Sequence, residues 1–197
     1  MKVVDVFNAC FAHSNLAPPQ RTFLIGGASE PIYLPSTASV DEHIYAASAD
    51  DDAHTSEKIS LTGVKTLSLL PQGNKVFFRH DYLASALHEV AHWCIAGEAR
   101  RRQIDYGYWY APDGRTHAQQ KAFEQVEVKP QALEWAFSNA CAIPFKISND
   151  NLALANDISV DSTAFECAVE NQLVKYMREG LPPRAKQFRE RLLEHFA

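Results

Sequence analysis

Residues 88–92 read His-Glu-Val-Ala-His, two imidazoles four residues apart with a carboxylate beside the first. On an α-helix, residues four apart share one face, about one turn apart. Both rings can therefore meet one metal ion from the same side. Glu89 lies about 100° round the helix from His88, within reach of a metal-bound water or a substrate. The motif predicts metal ligands at His88 and His92, an open coordination position, and a catalytic group at Glu89. A chance match would leave two histidines beside an apolar helix face with only ordinary hydrogen bonds, which is costly without a ligand.

The flanking residues must supply that helix. Leu83, Leu87, Ala91, Cys94 and Ile95 recur at three- and four-residue spacing, one apolar face. Asp81 is the candidate N-cap, Gly97 the candidate stop, and Arg100, Arg101 and Arg102 suit the negative end of a helix dipole. The spacing predicts a helix over about 81–99. As an isolated patch, the three arginines read first as a solvated helix end, and second as a contact for a partner.

Two histidines need a third ligand. Catalytic zinc takes three protein ligands, and non-haem iron takes two histidines and a carboxylate. Of the other histidines, His80 lies just outside the helix start and His117 is the best remaining alternative. Glu98 falls six residues after His92, the metzincin offset, but the glycine those sites need at the third position is Ile95 here. On a continuing helix Glu98 would face roughly 240° away. Glu124, Glu127 and Glu134 form a second carboxylate group on a neighbouring helical stretch. Glu127, just before Pro130, is the preferred ligand, because a helix start fixes chain direction and offers backbone donors to orient a carboxylate.

The 197 residues carry 46% hydrophobic and 22% charged side chains, enough for one globular domain over 1–197 with its own core. A net charge of −5 argues against a general electrostatic nucleic-acid binder. Cys10, Cys94, Cys141 and Cys167 are far apart and contain no C-x-x-C pair, so they read as reduced thiols of a cytoplasmic protein. Met1 to Phe7 carries charge where a signal peptide is apolar, and no run approaches the roughly 18 apolar residues of a membrane helix.

Along the chain, Val3, Val6, Phe7, Cys10 and Phe11 mark an amphipathic helix over 3–14, stopped by Pro18-Pro19. Strands are expected over 21–25, ended by Gly26-Gly27, then over 32–34, 44–47 and 75–78. Asp50 to Asp52 read as a solvated turn. Asp105 to Tyr110 read as an aromatic strand, whose Tyr106, Tyr108 and Trp109 either pack a core or line a substrate pocket. Helices follow over 116–127, from Pro130 to before Pro144, and over 158–178 and 183–196. The architecture expected is α+β, a small sheet packed against helices, with the H-E-x-x-H on a central helix.

Three segments together, Asp81 to Gly97, Asp105 to Arg115 and Val126 to Trp135, resemble the elongation factor P hydroxylase family along what looks like the full chain. The resemblance implies a zincin-like fold and hydroxylation of the lysine of translation elongation factor P that already carries a β-lysyl group. It implies Fe(II) held by a two-His-one-carboxylate set, with O₂ as co-substrate, and it carries over His88 and His92 as ligands. Elongation factor P is then the protein partner, with no stable nucleic-acid partner and no membrane. Hydroxylating an unactivated C–H bond needs an oxidant that no side chain supplies, which suits iron. Glu89 then either orients the metal site or binds the cationic lysyl substrate. The competing reading is a zinc hydrolase of peptidase type, in which Glu89 activates water. A binding protein with a structural metal comes third, because the candidate ligands leave a position open.

Overall fold

The computed structural model describes residues 2–40, 43–46, 57–64, 69–105, 115–148 and 162–196. In chain order the elements are α1 (Lys2–Phe11), β1 (Thr22–Ala28), β2 (Ile32–Leu34), β3 (His43–Ala46), β4 (Glu57–Ser60), β5 (Asn74–Arg79), α2 (Leu83–Ile95), α3 (His117–Ala140), α4 (Thr163–Glu179) and α5 (Pro183–Phe196), with short 3-10 turns at Pro18–Gln20 and Arg100–Arg102. The architecture is α+β, as expected. None of these helices is long and apolar enough to cross a membrane.

β5 is the centre of a three-stranded sheet, parallel to β1 and antiparallel to β2, while β3 and β4 pair separately. Alternation along β5 sends its side chains to two cores. Val76 and Phe78, with Leu24 of β1, join the larger core between sheet and helices. That core contains the five apolar residues expected of α1, together with Leu87 and Val90 of α2, Leu133 and Phe137 of α3, and Phe188 and Leu192 of α5. Phe77 points the other way, into a smaller core with Ala28, Ile32, Leu34, Leu61 and Val64.

Several boundaries differ from the sequence expectation, for identifiable reasons. β1 does not stop at Gly26-Gly27 but runs through to Ala28 over a register shift. Gly27 has φ 102°, and a Cβ there would lie 2.4 Å from the Gly63 carbonyl oxygen, so the pair allows a bulge rather than an end. Asp81 does not cap α2. The N-cap is Tyr82, without a side-chain cap bond, and the Asp81 carboxylate lies over Gly26, where a Cβ would come within 2.7 Å of it. α2 ends at Ile95, ahead of Gly97. Its last carbonyls are taken by a distant residue: Arg184 of α5 donates from Nη2 to the carbonyls of Trp93 (2.9 Å), Cys94 (3.0 Å) and Ala96 (2.6 Å). The Arg184 guanidinium also lies 4.7 Å from the Trp93 ring centroid. Of the three neighbouring arginines, Arg101 reaches the same helix end, donating from Nε to the Ala96 carbonyl at 3.2 Å.

The largest correction concerns Pro130. The sequence predicts a helix break before it, yet α3 is one helix of 24 residues with Pro130 inside. Thr116 and Gln119 cap its start reciprocally, a capping box. A proline inside a helix removes one hydrogen bond and costs about 3 kcal/mol. Here the carbonyl left without a partner is that of Val126, an exposed residue, where water can serve it. Burial of Pro130, Ala132, Leu133, Ala136 and Phe137 offsets the rest. β4 was not anticipated. Tyr106, Tyr108 and Trp109 lie outside the described residues, as do Asp50 to Asp52 and the first residues of the helix expected over 158–178.

Candidate metal centre

α2 and α3 pack side by side and bring three ligand-type residues together. His88, His92 and Glu127 each offer an atom within 4.8 Å of the others. The two Nε2 atoms are 2.9 Å apart. Glu127 Oε1 lies 3.1 Å from His92 Nε2, and its Oε2 lies 3.5 Å from His88 Nε2. Ligand atoms about 2.1 Å from a metal are about 3.0 Å apart at right angles and about 3.4 Å apart at the tetrahedral angle. The two nitrogens are 2.9 Å apart, and the Glu127 carboxylate lies 3.1 Å from one of them through Oε1 and 3.5 Å from the other through Oε2, each spacing near that range. Two imidazole nitrogens and the Glu127 carboxylate, converging from two helices, are therefore close enough to hold a single divalent ion between them.

The residues behind the three are as informative. Glu134 Oε2 lies 2.8 Å from His88 Nδ1. A proton held on Nδ1 by that carboxylate leaves the Nε2 lone pair facing the centre, the usual way a metal-binding histidine is oriented. Gln131 donates from Nε2 to Glu127 Oε2 at 3.4 Å and to the Ser148 carbonyl at 2.7 Å, and its Oε1 accepts from the Ser148 backbone N–H at 3.1 Å. It ties Glu127 to the segment after α3. Glu127, Gln131 and Glu134 stand at i, i+4 and i+7, one stripe of a continuous helix. The sequence reading gave Gln131 no role, because a break at Pro130 cuts that stripe in two.

The electrostatics are those of buried opposite charges. Burial alone pushes the His88 imidazolium down, but the Glu127 and Glu134 carboxylates reverse this and hold it up at about 10. Burial alone raises the Glu127 carboxyl, and the His92 and His88 rings overturn that and hold it down at about 2. For Glu89, burial dominates and pushes the carboxyl above the usual carboxylate range. The centre thus favours an anionic Glu127 facing the two imidazoles.

Glu89 takes no part in the three-residue cluster. It lines a cavity of about 30 Å³ together with His92, Tyr33, Trp93, Arg100, Arg101 and Asp105, among others. Arg100 pairs with the Asp105 carboxylate through Nε and through Nη2 at 3.0 Å. Tyr33 Oη donates to the Arg101 carbonyl at 2.8 Å, and the Tyr33 and Asp105 backbones form a bridge. The turn after α2 is thereby fastened to β2.

The remaining candidates are elsewhere. Glu98 is exposed and pairs with Arg102. Glu124 accepts from Gln120 Nε2 at 3.1 Å. His117 is exposed at the first turn of α3, and His80 packs its ring against Tyr82 outside α2. None of them belongs to the cluster.

Comparison with known proteins gives the family of the chain. A sequence model of the family described as elongation factor P hydroxylase matches residues 68–197, which hold α2, α3 and the whole cluster. The elongation factor P lysine hydroxylase of Haemophilus influenzae is 36% identical over 195 residues, covering 99% of this chain and 88% of that protein. The identity at this coverage, with the family match over α2 and α3, places the chain in the elongation factor P hydroxylase family.

Proposed function

We propose that this chain is an Fe(II)-dependent hydroxylase that uses O₂ to hydroxylate the β-lysylated lysine of elongation factor P. The observation that carries the reading is the His88–His92–Glu127 cluster in a chain of this family. Two nitrogens and one carboxylate oxygen, with an open side, are the donor set of non-haem iron oxygenases. When bound there, iron supplies the activation of O₂ that side chains lack. The chain's own residues do the rest. Glu134 fixes the His88 ring, Gln131 fixes Glu127, and the packed α2–α3 layer keeps water from the buried side. Glu89 is the catalytic-site carboxylate that faces the adjoining cavity.

The reading treats 1–197 as one zincin-like catalytic domain; a sheet strand packed beside the helix bearing both histidines supports it. Tyr106, Tyr108 and Trp109 are proposed to contact the substrate, since Asp105, which precedes them, lines the cavity. A protein acting on a translation factor works in the cytoplasm.

The test is to purify the protein without oxygen, measure its metal, and incubate it with β-lysylated elongation factor P with and without O₂. Mass spectrometry should show one added oxygen that requires both Fe(II) and O₂. Peptide cleavage supported by zinc, with no oxygen added, would overturn the reading in favour of a hydrolase.

A further inference from the structure

We propose that Gln131 is a positioning residue that decides how Glu127 meets the metal: by donating to Oε2 it leaves Oε1 to bind, so that the carboxylate takes up one coordination position and not two. This inference rests on the reading of the cluster as a metal centre and deepens it by naming what controls the third ligand.

The cluster by itself does not make that choice. Glu127 Oε1 lies 3.1 Å from His92 Nε2 and Oε2 lies 3.5 Å from His88 Nε2, so both oxygens face the imidazoles. A carboxylate so placed can bind an ion through one oxygen or chelate it through both. Gln131 breaks the symmetry, because its Nε2 reaches Oε2, at 3.4 Å. Glu127 and Gln131 stand one turn apart on α3, a register that exists because the helix runs on through Pro130.

The amide is held from its other side and cannot turn over. Its Oε1 accepts from the Ser148 backbone N–H at 3.1 Å, and its Nε2 donates to the Ser148 carbonyl at 2.7 Å. A flipped amide would set oxygen against oxygen and N–H against N–H. An amide nitrogen carries two hydrogens, so with one spent on Ser148 the second is left for Glu127. Gln131 is only 1% exposed, which keeps water from competing for that hydrogen. The two bonds to the backbone are the shorter ones, so the amide sets the carboxylate rather than following it. A Glu127 held to one oxygen leaves a further position at the ion for ligands from outside, as two-His-one-carboxylate centres require.

The experiment uses the full chain loaded with Fe(II) in the absence of oxygen, as wild type and as Q131M, which keeps the length of the side chain without its donor. Crystals of the loaded wild type are expected to show one Glu127 oxygen on the ion and the other still on Gln131. In Q131M both oxygens are expected on the ion. Nitric oxide, added at saturating Fe(II) as a probe of the free position, should then bind about tenfold more weakly to Q131M, a loss of the size seen for outer partners. A wild type that chelates through both oxygens, or binds through Oε2 alone, overturns the proposal. A Q131M with Glu127 and nitric oxide affinity unchanged also overturns it, and reduces Gln131 to a packing residue whose loss shows in stability alone. The wild-type crystal decides even if Q131M fails to fold. Metal bound elsewhere than at the cluster would sink the metal reading and the inference with it. Metal bound there through one oxygen, with no oxygen added to elongation factor P, would sink the hydroxylase reading and leave the inference standing.

Discussion

Two groups of charged residues lie close together in this chain and behave in opposite ways. In the α2–α3 layer, His88 and His92 meet Glu127 and Glu134, with the Glu127 and Glu134 side chains 2% and 11% exposed. A few residues on, Glu98 and Arg102 pair four residues apart in the turn after α2, with both side chains 73% exposed. The residue types are similar and both groups form ion pairs. Only in the first do the partners come from a second helix that also excludes water. A surface pair is worth about 0–1 kcal/mol, whereas removing one member of a buried set leaves an uncompensated charge at several times that cost. What makes a carboxylate chemically useful here is the element that holds it, not its distance in sequence from the histidines.

The strongest test of that contrast is Glu127→Ala. On the proposed reading it removes one of three ligands, so iron affinity should fall by more than the roughly 100-fold upper limit for losing an outer partner. Metal analysis after dialysis should find the protein largely iron-free, and hydroxylation should vanish with the metal. Full iron retention would break the comparison at its centre.

Next comes Arg184→Ala, because Arg184 holds the end of α2, between the two groups in sequence, through the carbonyls of Trp93, Cys94 and Ala96. Acceptors left without a donor cost about 1–3 kcal/mol. Urea unfolding should show that loss while the three ligand residues remain intact and iron still binds.

Glu134→Gln sharpens the difference between the two ends of the His88 ring. It keeps shape and hydrogen bonding to Nδ1 but removes the charge, and iron affinity should fall by roughly 10–100-fold, as for other outer partners. Competition with a chelator measures it. An unchanged affinity would reduce Glu134 to a packing residue.

The smallest effect is expected for Glu98→Ala. Exposed pairs contribute about 0–1 kcal/mol, and iron content and activity should not move. A loss of iron in this variant would restore Glu98 as a ligand and overturn the comparison altogether.

Much of the helical half is legible because amphipathic periodicity is a local signal. The five apolar residues read for α1 are its five buried ones, and α5 begins at Pro183 as expected. The errors cluster where a local rule met a tertiary contact. Pro130 read as a helix start, but packing of α3 on α2, α4 and α5 outweighs one missing hydrogen bond. Gly97 read as a stop, but the helix end is held by a guanidinium about ninety residues away in the chain. No windowed pattern can carry that information.

The site divides along the same line. Sequence alone determined the histidine pair, because a spacing of four on a helix fixes which side chains share a face. It also preferred Glu127 from a short set of carboxylates, though by way of a helix start at Pro130 that α3 does not have. Only the tertiary structure brought Glu127 against both Nε2 atoms and Glu134 behind His88, and left Glu98 in solvent. It alone placed Glu89, whose role the sequence left open, as a buried carboxylate facing a cavity. The physical reason is that spacing along a helix is set by the backbone, whereas convergence from two helices is set by how their apolar faces pack.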